Sequence, residues 1–303
     1  MIEPTMREQM ASTIAELMNT DPRLVMVLCD ISAGLFEDAA TAHPGRVLNL
    51  GIMEQTAVSL AAGFALEGFV PVVHSIAPFV VERPFEQIKD DFCYQRLGGN
   101  FISIGASYDY ASDGMTHQAP GDVAILRTLP GMEVVVPGTP AEFDLLFREA
   151  YADGAPTYFR TGSQVNAASR PVRLGQLDVV RTGAEATVVA VGPMLDRVVE
   201  ACAGRDVSIA YCTTVAPFDA AGLRALAGAR PAPVLLVEPY YAGTGVSDVV
   251  DALAPAWLRL DSIGIPRRVL SNYGTAEEHD AALGLTAAGI RARLDALLVA
   301  TVG

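Results

Sequence analysis

Short apolar runs alternate with amphipathic stretches along almost the whole chain, and this alternation leaves few folds open to it. Runs at Leu24–Cys29, Val47–Leu50, Val70–His74, Phe101–Gly105, Glu133–Val136 and Thr157–Phe159 read as strands. Between them, Thr5–Asn19, Glu54–Leu66, Phe79–Phe92 and Pro140–Tyr151 carry helical spacing, as in Met10, Thr13, Ile14 and Leu17. Strands that alternate with helices build a largely parallel sheet wrapped by those helices. From Thr161 to about Glu185 the pattern weakens, and Gly162, Ser163, Pro171, Gly175 and Gly183 punctuate it. A second alternation follows. Strands are expected at Ala186–Val191, Val207–Tyr211, Val234–Glu238 and Leu258–Leu260, and helices at Met194–Ala203, Ala220–Ala227, Val246–Leu253 and Thr286–Leu298. The fold class is therefore α/β with two domains, each a largely parallel sheet flanked by helices. The expected bounds are 1–165 for the first domain, 166–185 for the connection and 186–303 for the second. A length of 303 residues accommodates two such units.

Charge and composition remove several functions. A formal charge of −14 disfavours a broad basic surface for nucleic acid or anionic lipid. No stretch of 18 uninterrupted apolar residues occurs, and Met1–Arg7 does not read as a secretory leader, so no membrane association and a cytoplasmic location are expected. Cys29, Cys93, Cys202 and Cys212 form no C-x-x-C pair, and Cys29, Cys202 and Cys212 read as buried reduced thiols. The four histidines show no zinc-binding spacing. Neither G-x-x-x-x-G-K-[ST] nor a strand followed by G-x-G-x-x-G is present. Gly243-Thr244-Gly245 reads better as a helix start packed against another subunit than as a dinucleotide cradle.

Three segments exceed what packing requires: Asn49–Gln55, Ser75–Phe79 and Ser112–Gln118. Each follows an expected strand. In parallel α/β sheets those strand ends form the ligand-binding edge, so polar groups gathered there are candidates for one site.

At these residues the sequence resembles the C-terminal half of transketolase, and especially the separately encoded C-terminal subunit of two-chain transketolases. The anchors are Gly51-Ile52-Met53-Glu54-Gln55, the helix Phe79–Ile88, Asp113-Gly114-Met115-Thr116-His117-Gln118, Leu129-Pro130-Gly131-Met132 before Pro137, and Pro156–Arg160. Thr214–Asp219, Val237-Glu238 and Tyr273-Gly274 resemble the family's C-terminal domain. The resemblance implies a pyrimidine-binding domain followed by a transketolase C-terminal domain, and thiamine diphosphate as cofactor.

It also implies roles. Glu54 stands where the family's glutamate bonds N1′ of the aminopyrimidine, where a carboxyl group can share a proton with the ring. Phe79 matches the aromatic residue that stacks on that ring. Ile52 adds apolar lining, and Ile76 replaces a frequent second aromatic. Asp30 resembles an aspartate near the cofactor. Asp113 and His117 match positions lining the substrate channel, where imidazole can exchange protons with a ketose hydroxyl. Arg160 matches an arginine that contacts sugar phosphate, although a salt bridge at a domain junction explains it equally well. The loop Gly105–Ser112 is shorter than the family's and lacks its phosphate-binding histidine, so Tyr108, Asp109 and Tyr110 suit an acceptor that is not phosphorylated or that is carried on a larger group.

The family's Gly-Asp-Gly and Asn-Asn elements for Mg²⁺ and diphosphate are absent; Gly121-Asp122-Val123 lacks the second glycine and its partner. No metal ligand is therefore expected on this chain. The resemblance implies an N-terminal transketolase subunit that supplies the Mg²⁺ ligands, in an α2β2 assembly acting on small ketose and aldehyde substrates. Two other readings are weighed against this one: the β subunit of a 2-oxo acid dehydrogenase component, and a non-catalytic partner of the same fold. The Asp113–Gln118 segment disfavours the former, and Glu54, Phe79 and His117 disfavour the latter.

Overall fold

The computed structural model describes residues 3–228, 232–256 and 259–299. Its strands are β1 (Leu24–Leu28), β2 (Val47–Asn49), β3 (Val70–Ile76), β4 (Gly99–Ile104), β5 (Glu133–Val135), β6 (Pro156–Phe159), β7 (Asp178–Arg181), β8 (Thr187–Val191), β9 (Ser208–Cys212), β10 (Thr214–Ala216), β11 (Val234–Tyr241) and β12 (Leu260–Ile265). They form a seven-stranded sheet in the order β10-β5-β6-β4-β3-β1-β2 and a five-stranded sheet in the order β12-β11-β8-β9-β7. Every pairing is parallel except at two edges, where β10 runs antiparallel to β5 and β7 antiparallel to β9. The α/β class and its largely parallel sheets are as the alternation implies.

Strand β1 shows how both faces of the first sheet are covered. Leu24, Met26 and Leu28 join one apolar cluster with Met10, Ile14 and Leu17 of the helix Met6–Met18. Val25, Val27 and Cys29 point the other way, into a cluster with Ala57, Val58 and Ala61 of the helix Glu54–Leu66. Thr5 caps the first helix in a reciprocal capping box with Glu8, which fixes its start.

Several details depart from the sequence expectation. The helix expected at Phe79–Phe92 is three pieces, Ala77–Val81, Phe85–Gln87 and a π-helical turn Ile88–Cys93. Pro84, which has no amide hydrogen to donate, stands at the break. The connection expected at 166–185 contains β7, an edge strand of the second sheet. Strand β10 belongs to the first sheet although it follows the start of the second alternation. Of the strand expected at Leu258–Leu260, Leu258 lies outside the described residues, and the observed strand continues to Ile265.

The two halves are joined by buried polar contacts. Tyr211 donates to Glu142 at 2.6 Å, and Arg160 donates to the backbone carbonyl of Pro239 at 3.4 Å. Among the described residues no helix is long and apolar enough to cross a membrane.

Candidate active site

Parallel register lines up Asn49, Leu28, His74 and Ile102 across β2, β1, β3 and β4. The chain segments that leave this row at the strands' carboxyl ends converge on one cavity of about 520 Å³. Asp30 comes from β1, Ile52 and Glu54 from β2, Ser75, Ile76 and Phe79 from β3, and His117 from the segment after β4. The structure thus brings together six of the expected site residues: Asp30, Ile52, Glu54, Ile76, Phe79 and His117.

Glu54 opens its helix and is 1% exposed. Ser75 Oγ donates to its Oε1 at 3.1 Å, and Arg83 Nη1 donates to its Oε2 at 2.5 Å. Arg83 also lies 4.2 Å from the centre of the Phe79 ring, which ties cation, ring and carboxylate into one group. The sequence reading missed Arg83. Arg83 stands in the break between the helices Ala77–Val81 and Phe85–Gln87, where helical spacing does not report its contacts.

Phe79 and His117 meet edge to face with centroids 5.2 Å apart. His117 Nδ1 lies 3.0 Å from Thr116 Oγ1 and follows a 3₁₀ turn, Ala111–Thr116. Within that turn Gly114 adopts φ 69°, ψ −162°, a region essentially reserved for glycine. Asp113 is exposed on this turn and outside the cavity lining.

The floor below β1 holds a chain of polar contacts that the sequence did not reveal. His74 is fully buried, with Nδ1 bonded to the Ile102 carbonyl at 2.9 Å and Nε2 to Ser32 Oγ at 2.9 Å. Arg7 Nε donates to the same hydroxyl at 3.2 Å. Burial lowers the His74 pKa to about 4, so the ring is neutral: it donates to the carbonyl and accepts from Ser32. Asp30 and Ser32 both hold positive φ, 71° and 63°, beside the cavity. Asn49 Oδ1 supports this arrangement by accepting from the Asp30 and Gly51 amides. Cys29 also lines the cavity, but burial, reinforced by Glu54, raises its thiol to about 12 and keeps it protonated.

Besides Asp113, two further expected substrate residues lie outside this cavity. Arg160 is 3% exposed; its Nε donates to Asp122 Oδ2 at 2.8 Å and its Nη2 to Ser107 Oγ at 2.9 Å. The guanidinium is occupied by a junction salt bridge, and Asp122, from the incomplete Gly-Asp element, is its counter-ion. Tyr108 is 2% exposed, donates to Asp280 and stacks on His279, so a ligand in the Glu54 cavity does not meet it. The Gly243 and Gly245 amides are likewise taken, by the two oxygens of Glu238 at 2.6 and 2.8 Å, which leaves no phosphate cradle there.

A buried carboxyl group beside an aromatic face can hold a flat, nitrogen-containing ring. Residues 3–166 match the family described as transketolase, pyrimidine binding domain. The chain belongs to the transketolase family. It is 43% identical over 290 residues to an uncharacterized 33.6 kDa protein of the fasciation locus of Rhodococcoides fascians, a match covering 95% of this chain and 93% of that protein. It is 32% identical over 296 residues to the 1-deoxy-D-xylulose-5-phosphate synthase of Bordetella avium, covering 94% of this chain but 47% of the synthase. The chain thus spans about half the length of such synthases. Among solved structures, a split gene transketolase described as an inactive beta4 tetramer superposes with a TM-score of 0.85 at 27% identity, covering 97% of this chain and 98% of that one. Transketolase from Campylobacter jejuni, at 16% identity and a TM-score of 0.77, shares the fold over 96% of this chain and 46% of its own. Within the family, the sequence and fold correspond best to the C-terminal chain of the split-gene group.

Proposed function

We propose that this chain is the C-terminal, pyrimidine-binding subunit of a thiamine-diphosphate-dependent transketolase that transfers a two-carbon ketol unit from a ketose to an aldehyde. The burial of Glu54 beside Phe79 and His117, at the carboxyl edge of a parallel sheet, carries this reading. The cavity fits an aminopyrimidine: Phe79 and Ile76 offer apolar contact, and Glu54 offers one carboxyl group to a ring nitrogen. The cofactor supplies the carbanion chemistry. Glu54 would hold and return a proton at the pyrimidine nitrogen, with Ser75 and Arg83 keeping its carboxyl group in place. His117 would exchange a proton with a ketose hydroxyl.

The diphosphate and its Mg²⁺ find no comparable set of ligands here. Among the described residues no group of three His, Cys, Asp or Glu side chains is placed to hold a metal ion. We assign that half of the site to an N-terminal subunit in an α2β2 assembly. Ile52 is 70% exposed and Met53 52%, immediately before Glu54, and Leu60 and Leu66 are exposed along the helix that follows. An apolar strip bordering a cavity suits a covering chain. The split gene transketolase structure supports the same division.

The test is to copurify the chain with its N-terminal partner and compare Glu54→Ala with the parent. Turnover should fall at least about a hundredfold, the range of a lost acid–base group, with the circular dichroism spectrum unchanged. Near-normal turnover would reject the proton-holding role. Calorimetry should find tight thiamine diphosphate binding by the pair and none by this chain alone; tight binding by the lone chain would reject the shared site.

A further inference from the structure

A second cavity, of about 710 Å³, adjoins the first and shares Arg7 and Leu35 with it. Its volume is in the range that encloses a whole small ligand rather than a triose end. Met6, Leu35, Ile104, Tyr110, Pro140 and Val165 give it apolar walls. The charges on its lining are Arg7 against Glu3, Glu8 and Asp109, a balance hostile to a phosphate dianion. Arg160, the other candidate for a phosphate, is committed to Asp122 and Ser107.

Tyr110 stands in the loop Gly105–Ser112, which lacks the phosphate-binding histidine of the family it resembles. Gly105, at φ 77°, lies so close to its ring that a Cβ there would come within 2.2 Å of Tyr110 Cε2. Both preceding residues are anchored as well, Tyr108 on Asp280 and Asp109 on the Ser163 amide and hydroxyl at 2.7 and 2.9 Å. The ring also stands 6.3 Å from His117, edge to face, between the two cavities. A ring packed over Gly105 and set edge to face with His117 forms an apolar wall of this cavity and offers no cation to a charged group.

We infer that the acceptor is an aldehyde with an uncharged, apolar body, aromatic or branched alkyl, which lies in this second cavity with its carbonyl directed toward the Glu54 cavity. This inference rests on the ketol-transfer reading. In that transfer the C2–C3 bond of the ketose breaks and the remainder of the donor leaves as an aldehyde. A new C–C bond forms to the acceptor's carbonyl carbon, and the acceptor oxygen takes up a proton equivalent to the one lost from the donor's C3 hydroxyl. Nothing is oxidised or reduced overall.

The test uses the full chain and two unreactive probes, 3-phenylpropan-1-ol and glycerol 3-phosphate, in saturation-transfer and titration NMR. The alcohol should bind in the millimolar range and weaken about tenfold or more in Val165→Asp, which puts a charge into the apolar wall. Val165 is 46% exposed, so the variant should fold; Leu35→Asn, at a residue 43% exposed, is the second variant. Glycerol 3-phosphate should not bind detectably. Alcohol binding unchanged in both variants, or phosphate ester binding as tight as the alcohol's, would overturn the inference. Thiamine diphosphate binding by the assembled pair separates the two levels. If the pair binds cofactor but the alcohol does not bind, only the acceptor class falls; if the alcohol binds and the pair takes no cofactor, the acceptor assignment falls with the ketol-transfer reading.

Discussion

Glu54 is a carboxylate removed from water, and such a group is tolerated only where its oxygens are satisfied. Ser75 and Arg83 do this from one side each. The Arg83 side chain is 36% exposed, so solvent screens the pair and its contribution is well below that of two buried ions. We expect Arg83→Met to cost about 2 kcal/mol, mostly because Glu54 is left unpaired. The double change with Glu54→Gln should restore most of that, since a neutral amide needs no counter-ion. Urea denaturation of the four proteins in the cycle measures the coupling, and strictly additive losses would show that the pair is not a unit. The same residues mark the limit of sequence reading. The Gly51–Gln55 segment pointed to Glu54, whereas Arg83 and His74 act through contacts with residues 29 and 28 positions away, which periodicity does not report.

The helix Ala276–Leu283 has no helical reading in the sequence analysis, yet it joins the second half to the site loop. Its Asp280 is 3% exposed and accepts from Tyr108, from Gln164 at 2.9 Å and from Arg197 at 2.7 Å. Asp280→Ala strands three donors at once and should destabilise by about 3 kcal/mol, as the loss of one partner from a buried charged network does. A loss under about 0.5 kcal/mol in denaturant titration would mean that the network does not hold the loop. Strand and helix identities were legible because apolar periodicity is local. Edge strands such as β7 and β10 were not, because they are short, β7 has no fully buried residue, and their pairing depends on residues across the molecule. The break at Pro84 was written in the sequence but outweighed in its reading by the apolar pattern around it. Arg160 was recognisable as important; only the fold shows that its charge is used on Asp122.

At the scale of the molecule, the two halves store opposite responses to pH. In the first, burial holds His74 at about 4, below its ordinary 6.5. In the second, burial holds Glu238 at about 7, above its ordinary 4.5. A base with a depressed folded pKa binds fewer protons folded than unfolded, so its contribution is complete above 6.5 and is lost as pH falls toward 4. An acid with a raised folded pKa binds more protons folded, so its contribution is complete below 4.5 and is lost as pH rises through 7. Each shift is worth about 3 kcal/mol at about 1.4 kcal/mol per pH unit, and between 4.5 and 6.5 the two slopes oppose each other. Non-titrating variants separate them. The stability advantage of the parent over His74→Gln should grow as pH rises from 4 to 6.5, while its advantage over Glu238→Gln should shrink from 4.5 to 7. Urea midpoints across that range measure both differences, and slopes of the same sign would show that burial does not set the two protonation states in the way the contacts require. Because the groups lie in separate sheets, on β3 and β11, the two differences should also add in the double variant.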